Sequence, residues 1–181
     1  MKRLLFIVFV LLLHSCSAVV KSIYDFDYPL KSETAYSNNS NISVKIPEGW
    51  FTAVDNECNC IDLWLIKDDY TQSLNFTLIN LDEVTRNEVK TSGIKRVADY
   101  CKIFVRVKLG NSFKGFSGEE SFELNGNLFF AYQYLDKDDK PVRVVVFEHQ
   151  KRFYELTAIS KESGNFEQLF SIQNSVLTSM D

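Results

Sequence analysis

The chain has 181 residues and a formal net charge of −4, and 45% of its residues are hydrophobic while 24% are charged. Such a composition is typical of one globular domain. The acidic balance, without a basic stripe, argues against nucleic acid and against anionic lipid as partners.

The first 15 residues have the layout of a secretory signal peptide. Two basic residues open the chain, residues 4–13 are all apolar, and the small Ser15 precedes Cys16. This apolar run is too short to cross a bilayer, which takes about 20 residues. Its end resembles a bacterial lipobox, in which the thiol of Cys16 is lipidated and becomes the mature N-terminus. An ordinary secretory signal cleaved after Ala18 is the alternative.

The lipobox predicts where the protein works. Ser17 follows the cysteine, and a residue other than Asp there resembles the sorting pattern of outer-membrane lipoproteins. We therefore expect a bacterial cell-envelope protein, held by its lipid in the outer membrane and facing the periplasm. The predicted organisation is a signal peptide over residues 1–15, a lipid-anchored tether over 16–40 and one globular domain over 41–181.

The cysteines set limits on disulfide bonding. With Cys16 assigned to the lipid, Cys58, Cys60 and Cys101 remain. An odd number in an oxidising compartment permits at most one intrachain bridge. A bond between Cys58 and Cys60 would be strained, so one of them is expected to pair with Cys101. The alternative is three unpaired thiols, with Cys101 as a small core residue.

The strands follow from alternation of apolar and polar side chains. Residues 24–28 alternate aromatic and acidic side chains and could add an edge strand. Order is otherwise expected to begin at Ile42, in a strand that Pro47 ends. The same reasoning predicts six further strands, at 61–66, 74–81, 121–124, 128–135, 142–148 and 153–159.

Two helices are predicted. Between residues 94 and 105, apolar side chains recur at three- and four-residue spacing, which is typical of an amphipathic helix. Thr91 or Ser92 is expected to cap its start, and Gly110 is expected to end it. A final helix is predicted to begin at Asn165.

The fold class follows from the last strands. Strands 142–148 and 153–159 carry apolar side chains on both faces, so both faces of the sheet need a cover. One helix is available for each face, and Asn125 with Gly126 predicts a tight hairpin. The sequence therefore predicts an α+β fold, a three-layer α/β/α sandwich with a central antiparallel sheet.

The chain resembles the PsbP-like family. The resemblance rests on residues 44–50 (VKIPEGW), on the aromatic strand 153–157, and on a final helix that contains Phe166 and Ser175. This fold occurs in extrinsic photosystem II subunits, in a nuclear Ran-release factor and in many bacterial lipoproteins. The resemblance covers about residues 41–181 and implies the fold alone, because family members share no common site.

Residues that carry chemistry are few after Cys16. His149 is the sole histidine of the mature chain and has no second histidine to form a zinc site with it. Cys58 and Cys60 with His149 would supply at most three metal ligands. Ser117 lacks the spacing of a nucleophile elbow. No catalytic residue, metal site or cofactor is predicted.

These observations predict a binding protein and not an enzyme. The first hypothesis is a non-enzymatic envelope lipoprotein whose domain binds a protein or an envelope complex. The alternative is a carrier of a small ligand or metal, which would use a groove between the sheet and a helix, with Cys58 and Cys60 as candidate ligands. A plain secreted protein cleaved after Ala18 is the third possibility.

Overall fold

A computed structural model of the chain describes residues 28–37, 39–53, 60–162, 164 and 166–181. The predicted signal peptide, Cys16, the cleavage site after Ala18, and Cys58 lie outside the described residues. No helix in the described ranges is both long enough and apolar enough to span a bilayer.

The described residues form nine strands and three helices. The strands are β1 (Leu30–Tyr36), β2 (Ser43–Pro47), β3 (Trp50–Ala53), β4 (Leu63–Lys67), β5 (Gln72–Ile79), β6 (Phe116–Leu124), β7 (Asn127–Leu135), β8 (Pro141–His149) and β9 (Arg152–Ser160). The helices are α1 (Glu83–Ser92), α2 (Ile94–Leu109) and α3 (Phe166–Thr178), and a short 3₁₀ turn (Gly110–Ser112) follows α2.

Seven of the strands form one antiparallel sheet in the order β3-β4-β5-β9-β8-β7-β6. Its two faces bury separate apolar clusters. Val145 and Leu156 belong to the cluster beneath α3, whereas Val144 and Val146 belong to the cluster beneath α1 and α2. The predicted three-layer α+β sandwich is therefore confirmed, because alternating side chains of the same strands require cover on both sides.

The N-terminal boundary differs from the prediction. Strand β1 lies inside the segment expected to be a tether, and it pairs antiparallel with β2. Ala35 is buried in the α3-side cluster, and Lys31 Nζ donates to the carbonyl of Trp50 at 2.6 Å. The boundary predicted at residue 41 is therefore too late, because β1 covers apolar surface that β2 and Trp50 would otherwise expose.

Helix α1 has no counterpart among the predicted elements. Asp82 caps it, with Oδ1 accepting the N–H of Thr85 at 2.7 Å, and Gly93 at φ +72 separates it from α2. Gly93 is also the N-cap of α2, so the expected capping by Thr91 or Ser92 is wrong. The predicted end of α2 is confirmed.

Two tight hairpins join β6 to β7 and β8 to β9. Asn125 and Gly126 both have positive φ, as a type I′ turn requires, which confirms the predicted hairpin. The second turn places Gln150 and Lys151 at φ +48 and +64 without a glycine. Non-glycine residues adopt this conformation at a cost in free energy.

A buried polar network joins α3 to the sheet. Arg143 on β8 is completely buried, and its Nη1 donates to Gln173 Oε1 at 2.7 Å and to Asn174 Oδ1 at 2.8 Å. Glu120 on the edge strand β6 lies 3.4 Å from Nη2. The guanidinium also stacks over Phe122 at 5.3 Å. The charge is thus buried together with the groups that satisfy it.

Candidate binding groove

A groove of about 800 Å³ lies between α2 and the sheet. Its floor is formed by β5 and β9, and Tyr100, Phe104 and Lys108 of α2 form one wall. The volume falls within the range of small-molecule sites, roughly 300–1,000 Å³. We call this feature the α2 groove.

The groove exists because of the side chains on its floor. Helix α2 contacts β7 and β8, where the sheet face beneath it is apolar. Along β5 and β9 the same face carries polar residues in the middle of each strand. Covering this part of the sheet with a helix would bury polar groups and gain less free energy from apolar burial. The floor consequently stays open beside α2.

The register of the sheet joins the polar residues of the floor into one patch. Asn75 lies opposite Thr157, and Thr77 lies opposite Glu155. Directly opposed Cβ atoms in an antiparallel pair are about 5 Å apart. The four side chains therefore form a compact polar patch, which we call the floor patch, with apolar Ile79 at one end of it.

The titratable groups of the groove are strongly affected by burial. Burial raises the pKa of the Glu155 carboxyl. Two interactions lower this pKa and offset the rise only in part. They are the hydrogen bond that the Cys101 thiol donates to the carboxylate and the charge of Lys108. Burial also raises the pKa of Cys101, and to a lesser extent the Glu155 carboxylate does the same. Burial raises the pKa of Tyr134 to about 12. Desolvated groups of this kind are common in binding and active sites.

The outer side of α2 exposes large apolar side chains. Ile103 is 56% exposed, Phe104 is 57% exposed and Val107 is 75% exposed. Phe104 and Val107 also line the groove, whereas Ile103 does not. A ligand in the α2 groove would cover the side chain of Phe104 but not that of Ile103.

The cysteines occupy different chemical states. Cys101 is a free, buried thiol, so the expected bridge from Cys58 or Cys60 to Cys101 is wrong. The alternative of three unpaired thiols is also wrong, because Cys60 is disulfide-bonded, although its view of Cys101 as a core residue is confirmed. Cys60 is disulfide-bonded, and its partner lies outside the described residues. Both Cys60 and Cys101 line the α2 groove.

The other residues considered for chemistry are not brought together. Cys60 precedes β4, and His149 is the last residue of β8. Strands β5 and β9 lie between β4 and β8, so β4 and β8 are about 14 Å apart. Ser117 on β6 lies opposite Gln133 on β7, which in turn lies opposite Arg143 on β8. Arg143 is six residues before His149 on β8, so Ser117 is at the level of a position about 20 Å from His149. Within the described ranges, no group of three His, Cys, Asp or Glu side chains could hold a metal ion.

A second cavity, of about 790 Å³, lies near the turns of the two hairpins. Its basic side chains, Arg86, Lys90 and Lys151, are exposed to solvent. Solvated charges of this kind do not define a site by themselves. The α2 groove is the stronger candidate because it combines apolar walls with buried polar groups.

Neither the α2 groove nor its floor patch was predicted as such. A groove between the sheet and a helix was only a hypothesis from the sequence, and it included neither Glu155 nor Asn75. The available signal was the face of β9 that reads Phe153, Glu155, Thr157, Ile159, in which two polar residues interrupt an apolar face.

No family model matches the sequence, and no curated protein sequence matches it. Among solved structures, the chain is similar to cyanobacterial PsbP (CyanoP) from Synechocystis at 12% identity and a TM-score of 0.48, over 82% of this chain and 91% of that chain. It is also similar to a structure from Bacteroides thetaiotaomicron at 11% identity and a TM-score of 0.33, over 77% of this chain and 44% of that chain.

Proposed function

We propose that this protein is a non-enzymatic binding module of the bacterial envelope, anchored by a lipid on Cys16, which holds a small and largely apolar ligand in the α2 groove. The observation that carries the proposal is the groove itself, with apolar walls, a floor patch of convergent polar groups and a volume of about 800 Å³. Such a combination is the usual form of a small-molecule site.

The proposal is tested with an uncharged fluorescent probe, N-phenyl-1-naphthylamine, and the full chain carrying Cys16→Ser, which cannot be lipidated. Phe104→Ala should weaken binding of the probe. Ile103→Ala is the matched control, since the two side chains are exposed to the same degree on the same helix and only Phe104 lines the groove.

The size of the effect follows from the exposed area of Phe104. Somewhat more than half of this side chain is exposed, and if the probe covers about 60 Å² of it, the loss on truncation is about 1.5 kcal/mol, or roughly tenfold in affinity. Equal losses in the two variants would show binding on the outer side of α2 instead of in the groove. No binding to the unsubstituted groove would overturn the proposal.

A protein partner is the second candidate function, and the apolar strip on α2 favours it. Ile103, Phe104 and Val107 are exposed beside Arg106 and Lys108, which are exposed cations. We propose for this surface a partner that presents apolar and acidic side chains. Crosslinking from position 103 in native envelopes, with position 137 on a distant turn as the control, tests it. Adducts of equal amount at both positions would contradict it.

A further inference from the structure

Glu155 is a carboxylate that has no ion-pair partner among the described residues. It lies on β9 in the floor patch, and burial raises its pKa. The thiol of Cys101 is its hydrogen-bond donor. A buried carboxylate is stabilised far more by a cation than by a thiol.

The charged and titratable groups around Glu155 come from two elements. Helix α2 supplies Cys101 and Lys108, and β7 supplies Tyr132 and Tyr134. Burial raises the pKa of both tyrosines, so they stay neutral near pH 7. Lys108 is therefore the one cation of the four, and its side chain is exposed. Lys108 acts on Glu155 through its charge but forms no ion pair with it in the described ranges, so direct contact with the carboxylate is left to a cation bound in the groove.

The rest of the floor patch also favours a donor. Asn75 Oδ1 is buried and has no hydrogen-bond partner among the described residues. Thr77 and Thr157 complete the patch, and each hydroxyl can accept a hydrogen bond. An ammonium group has three donors and no acceptor, which suits a floor on which acceptors predominate.

We propose that the α2 groove takes a cationic amphiphile, a primary amine whose ammonium group meets Glu155 while its apolar chain lies against Tyr100 and Phe104. The proposal rests on the small-ligand function proposed above and names its ligand class. Tyr100 and Phe104 already contact each other edge to face at 5.0 Å, and they present an apolar wall above the floor patch. Charge and apolar surface are thus separated within the groove as they are in the ligand.

The test compares three probes of equal chain length, octylamine, 1-octanol and octanoate, by isothermal titration calorimetry on the full chain with Cys16→Ser. We expect octylamine to bind at least about tenfold more tightly than 1-octanol, since a hydrogen bond between charged groups exceeds a neutral one by this amount. Octanoate should bind most weakly, because it places a second carboxylate beside Glu155.

Two substitutions locate the preference. Glu155→Gln should remove the difference between octylamine and 1-octanol while both still bind. Glu123→Gln is the control, because Glu123 is an exposed carboxylate on β6 outside the groove. The affinity for octylamine should rise with pH in the unsubstituted groove, as Glu155 ionises, and this rise should be absent in Glu155→Gln.

The outcomes separate the two proposals. Equal binding of octylamine and 1-octanol, with loss of both in Phe104→Ala, would overturn the cationic ligand and leave the groove as a binding site. Binding of no probe would overturn both. A preference for octylamine that survives in Glu155→Gln but not in Glu123→Gln would assign the cation to another surface and overturn the inference.

Discussion

The buried network around Arg143 allows a quantitative test of how α3 is held on the sheet. Gln173 is completely buried, and besides accepting from Arg143 it donates through Nε2 to the carbonyl of Leu156 at 2.7 Å. Gln173→Leu keeps the approximate size of the side chain and removes these bonds. The guanidinium then loses one partner while it stays buried, which costs about 3 kcal/mol of unfolding free energy.

Removal of the charge as well should recover part of this loss. Arg143→Met alone leaves Gln173 Oε1 and Asn174 Oδ1 without their donor and should also cost about 3 kcal/mol. In the double variant the charge and one of its acceptors are absent together. We therefore expect a total loss of about 4 kcal/mol instead of about 6 kcal/mol, which is a coupling of about 2 kcal/mol.

Urea unfolding measured by tryptophan fluorescence gives these energies, with an unchanged m-value as the check that the unfolded states are comparable. The control is the double variant of Gln173→Leu and Val97→Ala. Val97 is buried in the cluster on the other side of the sheet. The effects of these two substitutions should add to within about 0.5 kcal/mol. If the losses in Arg143→Met and Gln173→Leu also add to this precision, the network is not a cooperative unit and the reasoning is refuted.

Three further predictions follow from the local environment of single residues. Because burial raises the pKa of Glu155, the folded chain holds that proton more tightly than the unfolded chain does, so stability falls as pH rises above the ordinary value of 4.5; Glu155→Gln should remove this fall, and parallel urea titrations of both proteins from pH 4 to 8 would contradict it. Lys151 has a φ of +64, and Lys151→Gly should relieve this strain and stabilise the protein by about 1 kcal/mol. Lys137→Gly, at an exposed turn position without positive φ, is the control and should give no gain. Equal midpoints of urea unfolding for the two variants would be inconsistent with strain at Lys151. Cys101 is 5% exposed with a raised pKa, so iodoacetamide at pH 8 should label it only after unfolding, as mass spectrometry of its peptide reports; rapid labelling of the folded chain would mean that the α2 groove opens to the thiol.

The parts of the fold that the sequence predicted are those with a strong local signal. Strands β7 and β8 contain continuous apolar runs, at residues 128–132 and 144–147. The pair Asn125 and Gly126 is a strong local signal for a tight turn. Helix α1 lacks such a signal because only Val84 and Val89 of its ten residues are apolar, and they are five positions apart instead of the three or four of a helix face. Its capping residue Asp82 and the breaker Gly93 were the local signals available.

The groove and the polar network depend on contacts between distant parts of the chain. The floor patch forms only when Thr77 is in register with Glu155, 78 residues later. Arg143 lies in a run of valines and reads as an isolated polar residue of a buried strand. Its role becomes evident only when α3 brings Gln173 above it. The pattern of apolar and polar residues along the chain does not specify the register between such distant segments, so neither the floor patch nor the network is predictable from it.

The described N-terminus and the α2 groove lie on opposite sides of the sheet. Tyr28 packs against the cluster beneath α3, whereas the groove opens beside α2. If Cys16 carries the proposed lipid, Tyr28 lies twelve positions after it in the chain, and such a length of chain spans up to about 40 Å when extended. That reach is several times the spacing of about 10 Å between packed layers. The tether therefore does not force the groove against the membrane or away from it. Because the lipid would determine only where the domain is held, ligand choice has to come from the floor patch, and Glu155 is the residue whose substitution tests it.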